Sequence, residues 1–400
     1  MCQPLVRVGD FVRSGQKIGD NDDLCAPVHA TISGKVREIA DIDGDDDGKV
    51  PAVFISGDGK SKMAEGIKPP PDWQTLDTDR LWVIVRESGI AGMSGAGFPT
   101  HEKLKLPLGK TLSLLLVNCV ESDPFLTSDY RLLLEHPRQI FEGIHLMMKL
   151  LHVDHTLIGA RANMPGIAEV LAPLLEKNPG IDLLLLEDKY PQGDERQLVF
   201  AATGRELRSA ELPWDVGVMV FNVVTAWALG SLLSTGVPLI ERPVTVGGAV
   251  VKPGNFMVRI GTPIEKLIAA AGGFATKQGR IVLGSPMTGR QILDLKTPVT
   301  KLTNAVLVMD ASRNLTTIQT NCIHCGRCLS VCPYRLMPLY MVRASQKGDV
   351  GKLKRYNVSE CRECAGCAYI CPAKLPLLQY IRAGKELIRT NAVEEENADE

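Results

Sequence analysis

The alternation of apolar and polar positions changes character several times along the chain, and each change marks a candidate domain. Over residues 1–57, short β-rich runs alternate with glycine turns (Val8-Gly9-Asp10, Ser14-Gly15-Gln16, Ser33-Gly34-Lys35), which predicts a small all-β unit. Residues 58–72 form a linker stiffened by Lys68-Pro69-Pro70-Pro71-Asp72. From 73 to 236 the pattern is that of an α/β domain. Residues 112–120 and 181–186 are apolar runs of the kind buried parallel strands need, and 137–151 and 167–175 carry apolar residues at helical spacing. Their alternation predicts a doubly wound sheet. Residues 237–310 return to short strands and turns with one helix around 263–271, a small α+β unit.

The segment 311–390 repeats itself. CIHCGRCLSVCP from Cys322 recurs as CRECAGCAYICP from Cys361, and similar apolar runs follow (RLMPLYMVR, KLPLLQYIR), which predicts an α-rich domain with pseudo-two-fold symmetry. Residues 391–400 form an acidic tail, expected to be solvated and disordered. The 25 residues from 216 to 240 lack charge and pass the length test for a membrane span, but their Gly, Ser, Thr, Asn and Pro content reads as a buried strand, a turn and a helix.

At 400 residues the chain exceeds what one hydrophobic core usually organises. Lys plus Arg number 45 against 46 Asp plus Glu, so no global field recruits nucleic acid or anionic lipid. Met1 is not followed by the basic and apolar regions of a signal peptide, so a reducing cytoplasm is expected. Eight of the 11 cysteines lie between Cys322 and Cys371, a clustering that favours metal over disulfides.

The spacing C-x2-C-x2-C-x3-C-P wraps three thiolates around one 4Fe-4S cubane and sends the fourth to another. By that rule Cys322, Cys325, Cys328 and Cys371 hold one cluster, and Cys361, Cys364, Cys367 and Cys332 hold the other. Structural zinc favours closed four-ligand sites over this pattern. Gly326 and Gly366 are expected to let amides approach the sulfur, and His324 to lie at the surface or behind the ligands. The His152 and His155 pair reads as structural, and Cys119 as a small buried residue.

Clusters move single electrons, so coupling to a two-electron donor calls for a flavin. AGMSGAGFPTHEKL at 91–104 offers Gly92, Gly95 and Gly97 for close backbone approach to a phosphate or ring, with Lys103 for charge. Taken with NCVESDP from Asn118, YPQGDERQL from Tyr190 and NVVT from Asn222, this segment resembles the flavin subunit of respiratory complex I. VGDFVRSGQKIG and APVHATISGKVREI resemble a barrel-sandwich hybrid domain in which Asn21 to Cys25 replace the lysine hairpin of a carrier, so a structural or docking role is expected. GGAVVKPGNFMVRIGTPIEKLIAAAGG resembles the soluble-ligand-binding β-grasp domain, read here as a spacer between flavin and cluster domains. Over nearly the whole chain the resemblance is to the RnfC family, the C subunits of Rnf ion-translocating electron-transport complexes.

That resemblance implies non-covalent FMN, NAD(H) as substrate, and two 4Fe-4S clusters. It sets Gly92, Gly95, Gly97, Lys103, Asn118 and Glu121 around FMN, and Asn222 and Thr225 near its phosphate. It sets Phe98 against the nicotinamide, Asp123 and Glu195 towards the NADH ribose, and Tyr190 and Asp194 beside the flavin, with no catalytic acid, base or nucleophile. Ser94 and Asp123 depart from the family's usual glycine and glutamate. Lys189 and Arg196 read equally as phosphate contacts or solvated charges. The implied activity is hydride exchange between NAD(H) and FMN, then one-electron transfer to other subunits of a membrane Rnf complex. These include an iron-sulfur subunit and covalent-flavin membrane subunits that couple the flow to ion transport. The implied place is the cytoplasmic side of the cell membrane, with no nucleic-acid partner. Two alternatives stand beside it: a cobalamin reductase of the propanediol-utilisation type, which shares GAGFPTH and YP-x-GDE-x-QLV, and a non-enzymatic iron-sulfur wiring scaffold.

Overall fold

The computed structural model of the protein describes residues 2–44, 48–95, 97–107, 109–208, 210–310 and 318–399. Six strands open the chain: β1 (Gln3–Pro4), β2 (Phe11–Val12), β3 (Lys17–Asp20), β4 (Val28–His29), β5 (Gly34–Asp43) and β6 (Lys49–Gly57). β1, β3 and β4 pair into one antiparallel sheet, and β2, β5 and β6 into another. Their shared core is small, centred on Val12, Ile18, Ala30 and Val36, so the unit depends on what it packs against. The buried Lys301 ammonium donates to the carbonyls of Ala26, Pro27 and Gly89 at 3.3, 2.9 and 2.7 Å, and Arg86 reaches Asp20 at 3.2 Å. Burial pulls the Lys301 pKa down to about 8.

The α/β domain contains α1 (Thr78–Glu87), α2 (Thr100–Lys103), β7 (Leu114–Cys119), α3 (Ser128–Glu135), α4 (Pro137–Leu151) and β8 (Thr156–Arg161). It continues with α5 (Ile167–Leu175), β9 (Ile181–Leu186), α6 (Glu195–Thr203), β10 (Val218–Asn222) and α7 (Val223–Thr235). The strands pair in parallel in the order β10-β7-β8-β9. The chain lays down β7, β8 and β9 in one direction and then returns to place β10 on the far side of β7. The switch point therefore lies between β7 and β10, and open α/β sheets bind ligands at the strand carboxyl ends of such a crevice. Register sets Asn118 opposite Asn222 there.

The uncharged stretch 216–240 contributes β10 and α7, and among the described residues no helix is long and apolar enough to cross a membrane. α7 is buried along one side and the next from Val223 to Gly230, because α4 lies directly on it. Two glycines permit the approach. A Cβ on Gly143 would stand 1.8 Å from the Ala226 carbonyl oxygen, and one on Gly230 would stand 1.7 Å from that of Gln139.

The β-grasp unit comprises β11 (Glu241–Gly248), β12 (Gly254–Arg259), α8 (Ile264–Ala270), β13 (Gln278–Leu283), β14 (Arg290–Ile292) and β15 (Ala305–Asp310), in sheet order β12-β11-β15-β13-β14. It is wedged between the first two units. Buried Arg242 donates to the Met93 carbonyl at 3.1 Å, Thr127 N–H donates to Thr245 Oγ1 at 3.2 Å, and Arg259 donates to Ser14 Oγ at 3.2 Å. The expected spacer between flavin and cluster domains is thus a bracket between flavin and barrel-sandwich domains.

The last unit holds α9 (Arg327–Ser330), α10 (Pro338–Gln346), α11 (Val350–Arg355), α12 (Gly366–Ile370) and α13 (Leu377–Asp399). Residues 311–317, which open the expected cluster domain, lie outside the described residues. The sequence repeat is also a conformational one: left-handed residues fall at matching places, His324 and Glu363, Gly326 and Ala365, Arg335 and Lys374. The second copy's left-handed residue is Ala365, not the neighbouring Gly366. The backbone stays helical to Asp399 where a disordered end is expected, in keeping with the helix propensity of the Ala- and Glu-rich sequence.

Gly230→Ala should destabilise the protein by roughly 1–3 kcal/mol through overpacking of α7 on α4. Gly351→Ala on α11, where the new methyl meets only the Asp349 carboxylate at 3.7 Å, should be neutral or stabilising. Urea unfolding midpoints of the two variants check this, and equal losses would contradict it.

Candidate cofactor sites

The eight clustered cysteines line two separate recesses. Cys322, Cys325, Cys328 and Cys371 border one, and Cys332, Cys361, Cys364 and Cys367 border the other. Each recess thus draws three thiols from one run and the fourth from the other, the pairing expected from the spacing. Among the described residues no three His, Cys, Asp or Glu side chains converge on a single-ion site.

The donor set fits a polynuclear cluster. Burial, followed by the neighbouring Cys361 and Cys364, pushes the Cys367 thiol up to about 12, and burial raises Cys328, Cys361 and Cys364 as well. Four thiolates brought to one recess repel one another, and the iron of a cubane supplies the positive charge that holds them together. Amide donors are in place: His324 N–H and Glu363 N–H point at Cys322 Sγ and Cys361 Sγ, both at 3.4 Å. Their left-handed backbone turns these amides inward, at the same place in each repeat. His324 itself is exposed and lies 3.2 Å from Arg343.

The second recess faces the α/β domain. Tyr190 Oη donates to the Cys364 carbonyl at 2.6 Å, Tyr334 Oη donates to the Asp194 carboxylate, Arg362 stands 3.8 Å from that carboxylate, and Arg196 pairs with Glu360 at 3.1 Å. Tyr190, Asp194 and Arg196 all come from the YPQGDER segment. Tyr190 and Asp194 therefore clasp the cluster loop, and Asp194 also caps α6 by accepting from Arg196 N–H and Gln197 N–H. Arg196 is a docking residue, whereas Lys189 pairs with Glu187 at the surface. Nothing in the local pattern marks these long-range partners.

The same segment closes the crevice at the strand ends. Asn118 Nδ2 donates to the Gly193 carbonyl at 2.8 Å, and Ser122 Oγ accepts from Gly193 N–H at 3.0 Å. Asn222 caps α7, accepting from Val224 N–H at 2.9 Å, while its amide donates to Asp129 at 2.6 Å. Lys103 stands 5.1 Å above the Phe221 ring and 3.5 Å from Glu195, so a basic and an acidic residue from distant motifs share this edge. Cys119 is buried, its thiol on the Asp129 carbonyl. His152 ends α4 in a left-handed cap.

The glycine loop folds back on itself. Gly92 N–H donates to the Phe98 carbonyl at 2.9 Å, Gly97 is left-handed, and Phe98 stands half-exposed. No atom lies within 4 Å of a Cβ built on Gly95, which leaves that side of the loop open; Ala96 lies outside the described residues. Several buried polar atoms around the crevice have no protein partner: Thr225 Oγ1 in the first turn of α7, one oxygen of Asp123, and Thr100 Oγ1 in α2. Orphaned buried groups are costly, and a cofactor carrying both phosphate and hydroxyl groups offers acceptors for the threonine hydroxyls and donors for the carboxylate. The residues present therefore fit FMN.

Glu121 has a further task. Its carboxylate accepts from Asp129 N–H and Tyr130 N–H at 3.0 and 3.1 Å, covering the amino end of α3. Burial, then repulsion from Asp129, raises its pKa to about 8, with Arg161 opposing. The Asp129 carboxyl is raised too, by burial, with Asn222 and buried Arg242 opposing. Because the folded protein holds the Glu121 proton more tightly than the unfolded chain, that contribution is complete below the ordinary carboxylate range and is lost as pH rises through about 8. Glu121→Gln cannot ionise, so wild type should lose thermal stability relative to the variant across that window. Parallel melting curves from acid to alkaline pH would contradict this.

The family models agree with the four units. That of the RnfC barrel sandwich hybrid domain matches residues 1–60, the Nuo51 FMN-binding domain 85–231, the SLBB domain 243–291 and the 4Fe-4S dicluster domain 315–372. The chain is 37% identical over 361 residues to the C subunit of the Na(+)-translocating ferredoxin:NAD(+) oxidoreductase complex of Acetobacterium woodii, covering 90% of this chain and 82% of that one. It is 38% identical over 346 residues to the C subunit of the proton-translocating ferredoxin:NAD(+) oxidoreductase complex of Clostridium ljungdahlii, covering 86% and 76%. A chain of an NAD+-reducing [NiFe]-hydrogenase in the H2-reduced state shares the fold at a TM-score of 0.53 and 18% identity, over 78% of this chain and 62% of that one. By sequence, domain order and site architecture, the chain belongs to the RnfC family, the C subunits of ion-translocating ferredoxin:NAD(+) oxidoreductase complexes.

Proposed function

We propose that this chain is the NAD(H)-interacting electron-transfer subunit of such a complex, peripheral to the cytoplasmic face of the membrane, with other subunits carrying out ion transport. FMN held in the crevice supplies the conversion between hydride and single electrons, and two 4Fe-4S clusters supply the one-electron relay. The observation that carries this reading is the clasp itself: the segment that closes the crevice at Gly193 also holds the second cysteine recess through Tyr190 and Cys364. The two cofactor sites are thereby fixed relative to one another.

The chain's own residues bind, orient and exclude water. Lys103 and the amino end of α7 neutralise a phosphate, Thr225 offers an unengaged hydroxyl, and the open glycine loop admits a flat ring. Phe98 offers an aromatic face to the nicotinamide, while Asp123 and Glu195 offer acceptors to ribose hydroxyls. The Asp123 carboxyl is raised by burial, against a lowering hydrogen bond from Ser285 of the β-grasp unit, so that domain contributes to the same wall. The curated relatives support an ion-translocating complex over a cobalamin reductase.

Anaerobic addition of NADH to the reconstituted chain should bleach both flavin and iron-sulfur absorbance. Lys103→Ala should weaken FMN binding roughly ten- to a hundredfold, as loss of a charge-assisted phosphate contact does, with iron content unchanged. Protein that retains iron but binds no FMN would overturn the reading in favour of a wiring scaffold.

A further inference from the structure

The two recesses differ in surroundings. The second is covered by the α/β domain, whereas the first opens outward: Cys325 is exposed, and Ile323 on its lip is 66% exposed. Thr320 N–H donates to the Ala373 carbonyl at 3.1 Å, which lays the segment from Ile318, itself 85% exposed, along the same rim.

The rim is basic. Arg327 borders the recess, Lys374 lies between the lining residues Ala373 and Leu375, and Arg343 reaches His324 at 3.2 Å; all three are exposed. Among the described residues, no acidic side chain lines this recess. Between residues 322 and 391, Lys and Arg number 12 against four Asp and Glu, although the whole chain carries a net charge of -1. Those four acids are engaged elsewhere: Asp349 with Lys352, Glu360 with Arg196, Glu363 with Arg382 and Lys385, and Glu386 with Arg389. Among the described residues, none answers Arg327, Arg343 or Lys374.

We infer that this face is the docking site for an acidic protein carrying its own one-electron iron-sulfur centre, and that the first cluster, held by Cys322, Cys325, Cys328 and Cys371, is the port through which electrons pass to or from it. The inference rests on the functional reading above. It commits to that occupant on charge: an apolar lip ringed by cations favours an anionic partner, while a second copy of this domain would bring the same sign of charge. A small contact is sufficient for a transient electron-transfer encounter, which needs cluster proximity and fast exchange more than buried area. The step is balanced without bond making: one electron leaves the partner's reduced centre and enters the first cluster.

The test uses the full chain loaded with clusters and FMN, with a chemically reduced acidic two-cluster ferredoxin as the probe and a basic haem protein for contrast. Ferredoxin-driven reduction of the chain's clusters should be fast at low salt and slow as salt rises, with no such dependence for the basic protein. Arg343→Glu combined with Lys374→Glu should slow it by about tenfold or more and flatten its salt dependence. The double glutamine variant should fall between. Iron content, cluster EPR and NADH bleaching of flavin report whether the variants remain assembled. A charge-reversed protein that is assembled and reduced as fast as wild type would overturn the inference. So would a chain that accepts electrons only after residues 392–400 are removed, since the face would then belong to its own acidic end. Failure of NADH to bleach flavin while ferredoxin docking persists would instead sink the functional reading and leave the docking surface standing.

Discussion

The constraint on which the last domain depends is the crossed placement of its cysteines. A cubane needs four thiolates, and each cysteine run supplies three to the nearer recess and one to the other. Neither half of the last domain completes a site alone. The buried surface there is modest, centred on residues such as Met341, Leu353, Val358, Leu377 and Ile381, and it includes the recess cysteines Cys367 and Cys371. In small metal-organised units such an arrangement couples metal binding to folding. The α/β domain is joined to this unit through the second cysteine loop, which Tyr190, Asp194 and Arg196 grip.

The grip explains why one segment serves two sites. YPQGDER leaves the end of β9 and enters α6, a position that borders both the crevice at the β7 and β10 ends and the neighbouring domain. Gly193 must lie close to the Ser122 and Asn118 side chains, Asp194 must cap α6, and Tyr190 must extend outward to the Cys364 carbonyl. The barrel-sandwich and β-grasp units act on the opposite flank. Lys301 ties both to Gly89, two residues before the glycine loop, so the loop is anchored from behind while its Gly95 side stays open.

Much of this was legible in the sequence where the signal is local. The helices over 137–151 and 167–175 and the strand over 181–186 fall at the residues their apolar periodicity marks, since burial of one face dictates both. The grouping of cysteines around each recess was legible because the repeated spacing sends the fourth thiol of each run away from the other three. Contacts made across the chain were not. Arg196 reads equally well as a phosphate contact or a solvated charge until Glu360 is seen beside it, and the cap that the Glu121 carboxylate forms on the α3 amides has no local signal. The left-handed position in the second cysteine loop falls on Ala365 although a glycine stands next to it, because the loop geometry of the repeat, not residue preference, sets it. Asp129 and Ser285 lie in no motif, and Ser122, although inside NCVESDP, shows its contact with Gly193 only in the fold.

Crossed ligation is most directly tested by removing one fourth ligand and asking which centre responds. Reduced Cys371→Ala protein should lose the EPR signal that Cys322→Ala also loses and keep the one that Cys361→Ala removes. Wild type should carry about eight irons per chain, as two such cubanes require. If Cys371→Ala instead matches Cys361→Ala, the runs bind their clusters separately and the account of how this domain is held together is wrong.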